Sequence, residues 1–143
     1  MAADDNVSIR VRPMDMADCD SVLHLAGSLI TREEMSTLKS SDPYSLLLVA
    51  ETTGQVIGFN LAHILYVGIP LTKICVIGGI VVDHRYRRLG IGEALIAAVE
   101  KQCLQHGINT VRTLVEEDDD RLEQFVIDTG FQRSVVRNFD KMI

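Results

Sequence analysis

The chain has little cysteine and no arrangement that would put it to use. Cys19, Cys75 and Cys103 are odd in number, far apart and without Cys-x-x-Cys spacing, which argues against a disulfide framework or a zinc site. Each reads as a small core residue, and no resident metal is expected. Long hydrophobic runs are lacking too. The longest apolar stretches, 45–50 and 74–82, have the length of strands, and Met1 to Asp5 is acidic, so neither a membrane span nor a secretory signal is indicated. A cytoplasmic protein without a membrane partner is the expectation. Positive charge is in deficit, with 14 Lys+Arg against 20 Asp+Glu, a net charge of −6 and a pI of about 5.1. A broad nucleic-acid face is thereby excluded, because neutralising phosphates takes clustered cations over an extended surface. An acidic surface suits a cationic amine substrate instead. Internal repeats, low-complexity tracts and linkers are also missing. What remains is 143 residues at 47% hydrophobic content, which predicts one domain over 1–143 with a real core.

Periodicity supplies the elements. Ile9, Val11 and Pro13 alternate with Arg10 and Arg12, predicting a short edge or end strand. Asp18 is expected to cap a helix through Leu29, with Val22, Leu25, Ala26 and Leu29 as its apolar stripe. Thr31 and Glu34 make a capping box for a second short helix ending near Lys39. Pro43 precedes a strand over 44–51, Thr53-Gly54 turns it into a hairpin through 56–66, and Gly68 with Pro70 turns the chain into 74–82. Three antiparallel strands in a meander follow from this. Gly78-Gly79 inside the last of them reads as a bulge beside a ligand, since glycine otherwise weakens a strand. A helix from Ile91 to His106 closes at Gly107, a strand over 110–115 runs parallel to 74–82, and Asp118 is expected to cap a final helix. On that helix Leu122, Phe125, Val126 and Thr129 share a face, and 131–139 supplies a terminal strand.

The most informative stretch joins the 74–82 strand to its helix: Val82-Asp83-His84-Arg85-Tyr86-Arg87-Arg88-Leu89-Gly90-Ile91-Gly92-Glu93. Residues 87–92 must form the turn at a helix N-terminus, where free N–H groups and the helix dipole favour a phosphate or pyrophosphate. Gly90 and Gly92 remove Cβ atoms that would hold a ligand off those amides, and Arg85, Arg87 and Arg88 add charge. A nucleotide-triphosphatase loop would end in Gly-Lys-Ser/Thr, but Glu93-Ala94 follows Gly92. A dinucleotide loop would want a small residue at Leu95 and a first glycine tight against its strand.

Arg87-Arg88-Leu89-Gly90-Ile91-Gly92, following a strand that ends in Val82-Asp83, resembles the Arg/Gln-x-x-Gly-x-Gly/Ala signature of the GNAT superfamily of acyl-CoA-dependent N-acetyltransferases. The opening Ile9-Arg10-Val11-Arg12-Pro13 and the Gly130-Phe131 pair resemble the start and the last helix end of that family, so almost the whole chain is covered. The resemblance implies a mixed α/β (α+β) fold: a mostly antiparallel central sheet, helices on both faces and a splayed parallel strand pair. It implies acetyl-CoA as co-substrate, held by Ile80, Val81 and Val82 along the splay and by Arg87, Arg88, Leu89, Gly90, Ile91, Gly92 and Glu93 at the turn. Asp119 and Val126 on the last helix match family positions that also face the cofactor.

The departures are chemical. Transfer to an amine benefits from a general base, because a lysine amine (pKa ~10.4) and an α-amine (pKa ~7.7–8.0) are both largely protonated at neutrality. Relatives acting on protein N-termini carry a glutamate where Leu114 stands, and relatives carry an asparagine and a tyrosine acid where Asp119 and Val126 stand. Glu116, two residues beyond Leu114 and on the same side if the strand continues, is the substitute base, with Asp119 the other catalytic candidate. The resulting expectation is an N-acetyltransferase for a primary amine, on a peptide or protein N-terminus or a small molecule. A non-catalytic acyl-CoA sensor is the alternative, and a homodimer is compatible with either.

Overall fold

The computed structural model describes residues 8–38 and 43–143. The order of elements is β1 (Arg10–Pro13), α1 (Cys19–Ala26), α2 (Arg32–Thr37), β2 (Ser45–Thr52), β3 (Gln55–Val67), β4 (Thr72–Val82), α3 (Ile91–Gln105), β5 (Val111–Thr113) and α4 (Asp120–Asp128). Met16–Asp18 and His84–Tyr86 form single 3-10 turns. The strands lie in one sheet in chain order, antiparallel from β1 to β4, with β5 parallel to β4. The predicted meander, the parallel pair and the mixed fold are therefore all present.

Alternation along β2 explains why helices cover both faces. Leu46, Leu48 and Ala50 pack with Ile91, Leu95, Ile96, Val99 and Cys103 of α3. Leu47 and Val49 point the other way and pack with Val22 and Ala26 of α1 and Met35 of α2. A strand covered on both sides reads as a continuous apolar run, which is how 46–50 reads. Cys75 and Cys103 are free and buried in the α3-side core, and burial pushes the Cys75 thiol up to about 12, so it stays protonated and inert. Asn60, opposite Leu48 and Ile80, is buried with neither side-chain amide atom hydrogen-bonded, a burden of about 1–3 kcal/mol.

Several boundaries differ from expectation for local reasons. α1 stops at Ala26, because Gly27 at a φ of +58° turns the chain out of the helix and leaves Leu29 exposed. Asp18 does not cap α1. Its carboxylate takes two bonds from the Arg12 guanidinium at 2.7 and 2.8 Å and one from the Asp15 amide at 2.9 Å. Arg12 also reaches Glu51 on β2 at 3.1 Å, so the edge strand is tied to the first helix and to its neighbour. The capping box of α2 forms as predicted, with Thr31 and Glu34 bonded reciprocally. Lys39, where that helix was expected to end, lies outside the described residues. β5 ends at Thr113 rather than at 115. The cap of α4 is Asp119, whose carboxylate accepts from the Leu122 amide at 3.1 Å, and not Asp118. No strand forms over 131–139, and residues 132–143 are exposed.

Phe59 on β3 is 1% exposed and fills the α1-side core. Phe59→Ala should cost about 3–5 kcal/mol in chemical unfolding, whereas Leu29→Ala at an exposed site should stay within about 0.5 kcal/mol. Equal costs would contradict this assignment of the core.

Candidate active site

β4 and β5 pair only at Cys75–Val111, Val76–Arg112 and Ile77–Thr113. The Thr113 hydroxyl donates to the Ile77 carbonyl at 3.3 Å as the last link between them. From Gly78 onward β4 stays with β3, up to Val82 opposite Gly58, while β5 leaves. Gly78 is the extra residue at this point, since Leu61 faces Gly79 and Ala62 faces Ile77. The predicted bulge is thus real, and it sits where the parallel pair divides.

The divergence opens a groove of about 760 Å³. One wall is Gly78 to Val82, whose outward backbone groups have no strand beside them among the described residues. The turn Arg87, Arg88, Gly90 and the first residues of α3 close one end, and Thr113, Leu114 and α4 form the other wall. At the α3 end the first helical bond runs from the Ala94 amide to the Gly90 carbonyl at 3.0 Å. The amides of Ile91, Gly92 and Glu93 consequently have no acceptor within the helix. Gly90 adopts a φ of +78° and Arg88 a φ of +67°, so the turn holds two left-handed residues, one of them not glycine and therefore strained. A helix dipole contributes only about 0.3–1 kcal/mol to an exposed anion, so a bound diphosphate must also draw on these amides and on nearby cations. Arg87, Arg88 and Arg121 line the groove, and among the described residues none of the three is paired with a carboxylate.

Arg85 behaves differently from the expectation that it adds to this charge. Its guanidinium lies on the buried Asp83 carboxylate, at 3.2 Å from Nε and 2.9 Å from Nη2, and the Arg85 amide adds a third bond at 3.0 Å. Those bonds hold the Asp83 carboxyl down at about 2. Asp83 therefore stays ionised at neutrality, and the pair fixes the loop between β4 and the turn rather than meeting a ligand.

Most of the sequence-derived site residues converge. Ile80, Val81, Val82, Arg87, Arg88, Gly90, Ile91, Gly92, Glu93, Asp119 and Val126 all line the groove. Leu89 does not, and is about half exposed. Glu116 is also apart: with β5 ending at Thr113 the strand alternation that placed it beside Leu114 does not extend to it, and it lines a neighbouring cleft. Leu114 faces the groove itself. Sequence reasoning missed Arg121 and Phe125 as lining residues. For Phe125 a signal was present in Gly92. A Cβ on Gly92 would come within 2.8 Å of the Phe125 ring, so a side chain at 92 would have to displace that ring from its place between α3 and α4.

The profile of the Acetyltransferase (GNAT) family matches residues 15–131. The chain belongs to that family and is an enzyme of the acyltransferase class, with acetyl-CoA as co-substrate. Similar folds include the aminoglycoside N-acetyltransferase AAC(6')-Iy in complex with CoA, at 17% identity and a TM-score of 0.85 over 96% of each chain. AAC(6')-Ih from Acinetobacter baumannii is 24% identical, with a TM-score of 0.81 over 95% of this chain and 99% of its own. Glucosamine-6-phosphate N-acetyltransferase from Arabidopsis thaliana is 17% identical, with a TM-score of 0.76 over 95% and 99%. A search of curated protein sequences finds no match.

The two glycines should fail in different ways. At Gly90 an added Cβ meets nothing closer than 3.9 Å, so Gly90→Val strains the left-handed turn and should weaken CoA binding at least tenfold with a small loss of melting temperature. Gly92→Ala should instead lower the melting temperature by displacing Phe125, and Phe125→Leu in the same chain should restore much of it. Calorimetric titration and thermal unfolding read the two effects. Identical behaviour of both glycine variants would contradict the packing role of Gly92.

Proposed function

We propose that this chain transfers an acetyl group from acetyl-CoA, seated in the β4–β5 groove, to a primary amine that attacks the thioester directly. The observation that carries the reading is the divergence of β4 from β5 next to a helix N-terminus with unbonded amides. The amides of Ile91, Gly92 and Glu93, with Arg87 and Arg88, take the diphosphate. The free edge from Gly79 to Val82 holds the pantetheine arm and the thioester carbonyl. Leu89 is left with a role through its backbone alone, and Glu93, whose side chain stands beside Gly90, must turn aside from the anion.

In the reaction the amine nitrogen bonds to the acyl carbon, the carbon–sulfur bond breaks, and the amine proton leaves while the thiolate gains one. Leu114 and Val126 offer no proton acceptor or donor. Asp119, in the groove, spends one carboxylate oxygen on capping α4. Glu116 lines the neighbouring cleft and not the groove, so any action of it as base would run through water. Much of the rate gain then comes from holding the amine against an activated thioester. A thiol has a pKa of ~8.5, so its anion leaves near neutrality without a positioned acid.

Without a strong base the best acceptor is the amine most readily neutral. An α-amine at ~7.7–8.0 exceeds a lysine at ~10.4 by about several hundredfold in neutral fraction at pH 7, which favours a peptide α-amine over a lysine side chain. The net charge of −6 favours a cationic acceptor. Amino sugars are a second acceptor class, supported by the similarity in fold to the aminoglycoside and glucosamine-6-phosphate enzymes.

CoA release should be measured over N-terminal peptides, lysine peptides, aminoglycosides and small polyamines, with stability checked at each pH. Amine-dependent release is expected, with lysine side chains poorest, and kcat/KM should rise with pH as the amine deprotonates and then level off. Of the three tyrosines only Tyr86 lines the groove. An alkaline fall near ~10 that disappears in Tyr86→Phe would show a tyrosine acid and overturn the water-assisted step. Stabilisation by acetyl-CoA without release on any of these amines would contradict transfer to these acceptor classes.

A further inference from the structure

The groove is not confined to one face of the sheet. α1, α2 and the loop between them cover one face, where Ile30 and Val81 pack. α3 and α4 cover the other, where Ile80, Val82 and Phe125 pack. The groove takes lining from both layers: the turn at Arg87 and Arg88 leads into α3, whereas Leu29 comes from the loop between α1 and α2. Because β5 has left β4 by this point, no strand separates the two sides among the described residues. The gap in the sheet therefore has two mouths.

Their chemistry differs. The α3 mouth carries Arg87, Arg88 and the free amides of Ile91 to Glu93, which suit a diphosphate. The α1 mouth is apolar. Gly27 turns the chain out of α1, the Leu29 amide donates to the Ala26 carbonyl at 3.0 Å, and the Leu29 side chain stands 71% exposed at the groove. Leu114, on the wall opposite β4, stands 62% exposed. Gly79 pairs with Leu61 of the α1-side core, and a Cβ added to it would meet nothing within 4 Å. The carboxylates lining the groove are Glu93, in the first turn of α3, and Asp119, which caps α4. Both belong to the helices of the other face. Scattered exposed leucines are ordinary, but two that line one groove mark a surface for an apolar part of a ligand.

We propose that the α1 mouth receives the acceptor and that the acceptor is a peptide whose first residue is apolar. The assignment rests on the seating of acetyl-CoA along β4 given above. With the diphosphate on α3 and the arm along Gly79 to Val82, the α3 mouth is filled, and the nucleophile reaches the thioester from the α1 side. An α-amine is one carbon away from the first side chain, so delivering the amine brings that side chain against Leu29, Leu114 and the open space over Gly79. An amino sugar or a polyamine would bring hydroxyls or further ammonium groups to a surface without carboxylates, where leaving them unpaired is costly.

The same surroundings bear on the absence of a base at Leu114. Taking an ammonium out of water disfavours its charged form. The titratable and charged groups of the groove are Tyr86, Arg87 and Arg88 before α3, Glu93 on α3, and Asp119 and Arg121 on α4. The loop between α1 and α2 contributes Leu29 and no charge to the lining. The amine proton passes to water at this mouth, the nitrogen then bonds to the acyl carbon, and the thiolate leaves on the CoA side.

Peptides alike except in the first residue, run beside an aminoglycoside and a polyamine, test this through CoA release. For leucine-first and methionine-first peptides kcat/KM should exceed that of aspartate-, serine- and lysine-first peptides at least tenfold, with the difference in KM. Leu29→Asp, at an exposed position, should lower kcat/KM for the leucine-first peptide at least tenfold and raise it for the lysine-first one, with CoA affinity unchanged by calorimetry. Gly79→Val should narrow the mouth and reduce the ratio of leucine-first to alanine-first activity. Calorimetric binding of a leucine-first peptide to the CoA complex, which needs no turnover, should show the same dependence on Leu29. With acetyl-CoA and peptide saturating, the midpoint of the rise of kcat with pH should lie below that of the free amine, and Leu29→Asp should move it up. Equal use of all first residues, an aminoglycoside or polyamine preferred over every peptide, or a Leu29→Asp variant with an unchanged order of substrates overturns the apolar acceptor and leaves transfer to an amine standing. CoA binding without release on any acceptor overturns the transfer reading and this proposal together.

Discussion

A parallel strand pair that stops pairing partway leaves backbone groups that must find another partner. In this chain β4 and β5 share three residue pairs and then separate at the Gly78 bulge, and the rest of the site follows from that separation. β4 remains rigid because β3 supports its other edge along the whole length. Its end delivers Asp83, pinned by Arg85, into the turn that starts α3. The free edge and the free helix amides thus sit on one continuous piece of chain, strand, loop and helix, so their relative position is set locally. α4 only has to close the far side, and it does so by laying Phe125 over the bare Cα of Gly92.

The parts of this that were legible in the sequence are those encoded by neighbours along the chain. The meander, the bulge at Gly78-Gly79, the capping box at Thr31–Glu34 and the turn at Arg87–Gly92 each rest on periodicity or on glycine and cap chemistry within a few residues. The misreadings came where distant contacts decide. Arg85 looks like a phosphate ligand until the fold buries Asp83 beside it. Asp18 looks like a helix cap until β1 brings Arg12 to it. Glu116 looked aligned with Leu114 only while β5 was given two further residues. The terminal strand over 131–139 has strand-like composition but no strand edge within its own chain that it meets.

The chemistry is spare for a member of this family. Leu114 and Val126, the positions where the family resemblance leads one to expect a base and an acid, both line the groove and carry no titratable group. A mechanism that depends on placement more than on proton transfer is consistent with a rigid strand edge and a strained turn, since both fix geometry in advance of binding. The −6 net charge, with Arg87, Arg88 and Arg121 at one groove and none of them paired with a carboxylate among the described residues, divides the surface into a local anion site and a broadly acidic remainder.

The central claim is that CoA lies along the free edge of β4 with its diphosphate on the first amides of α3. An amide-resolved NMR titration with CoA tests it residue by residue. The account predicts the largest shifts at Ile91, Gly92 and Glu93 and from Gly79 to Val82, little change from Arg10 to Pro13, and no response to NAD. Shifts absent from both groove segments, or the same groove shifts with NAD in place of CoA, would contradict it.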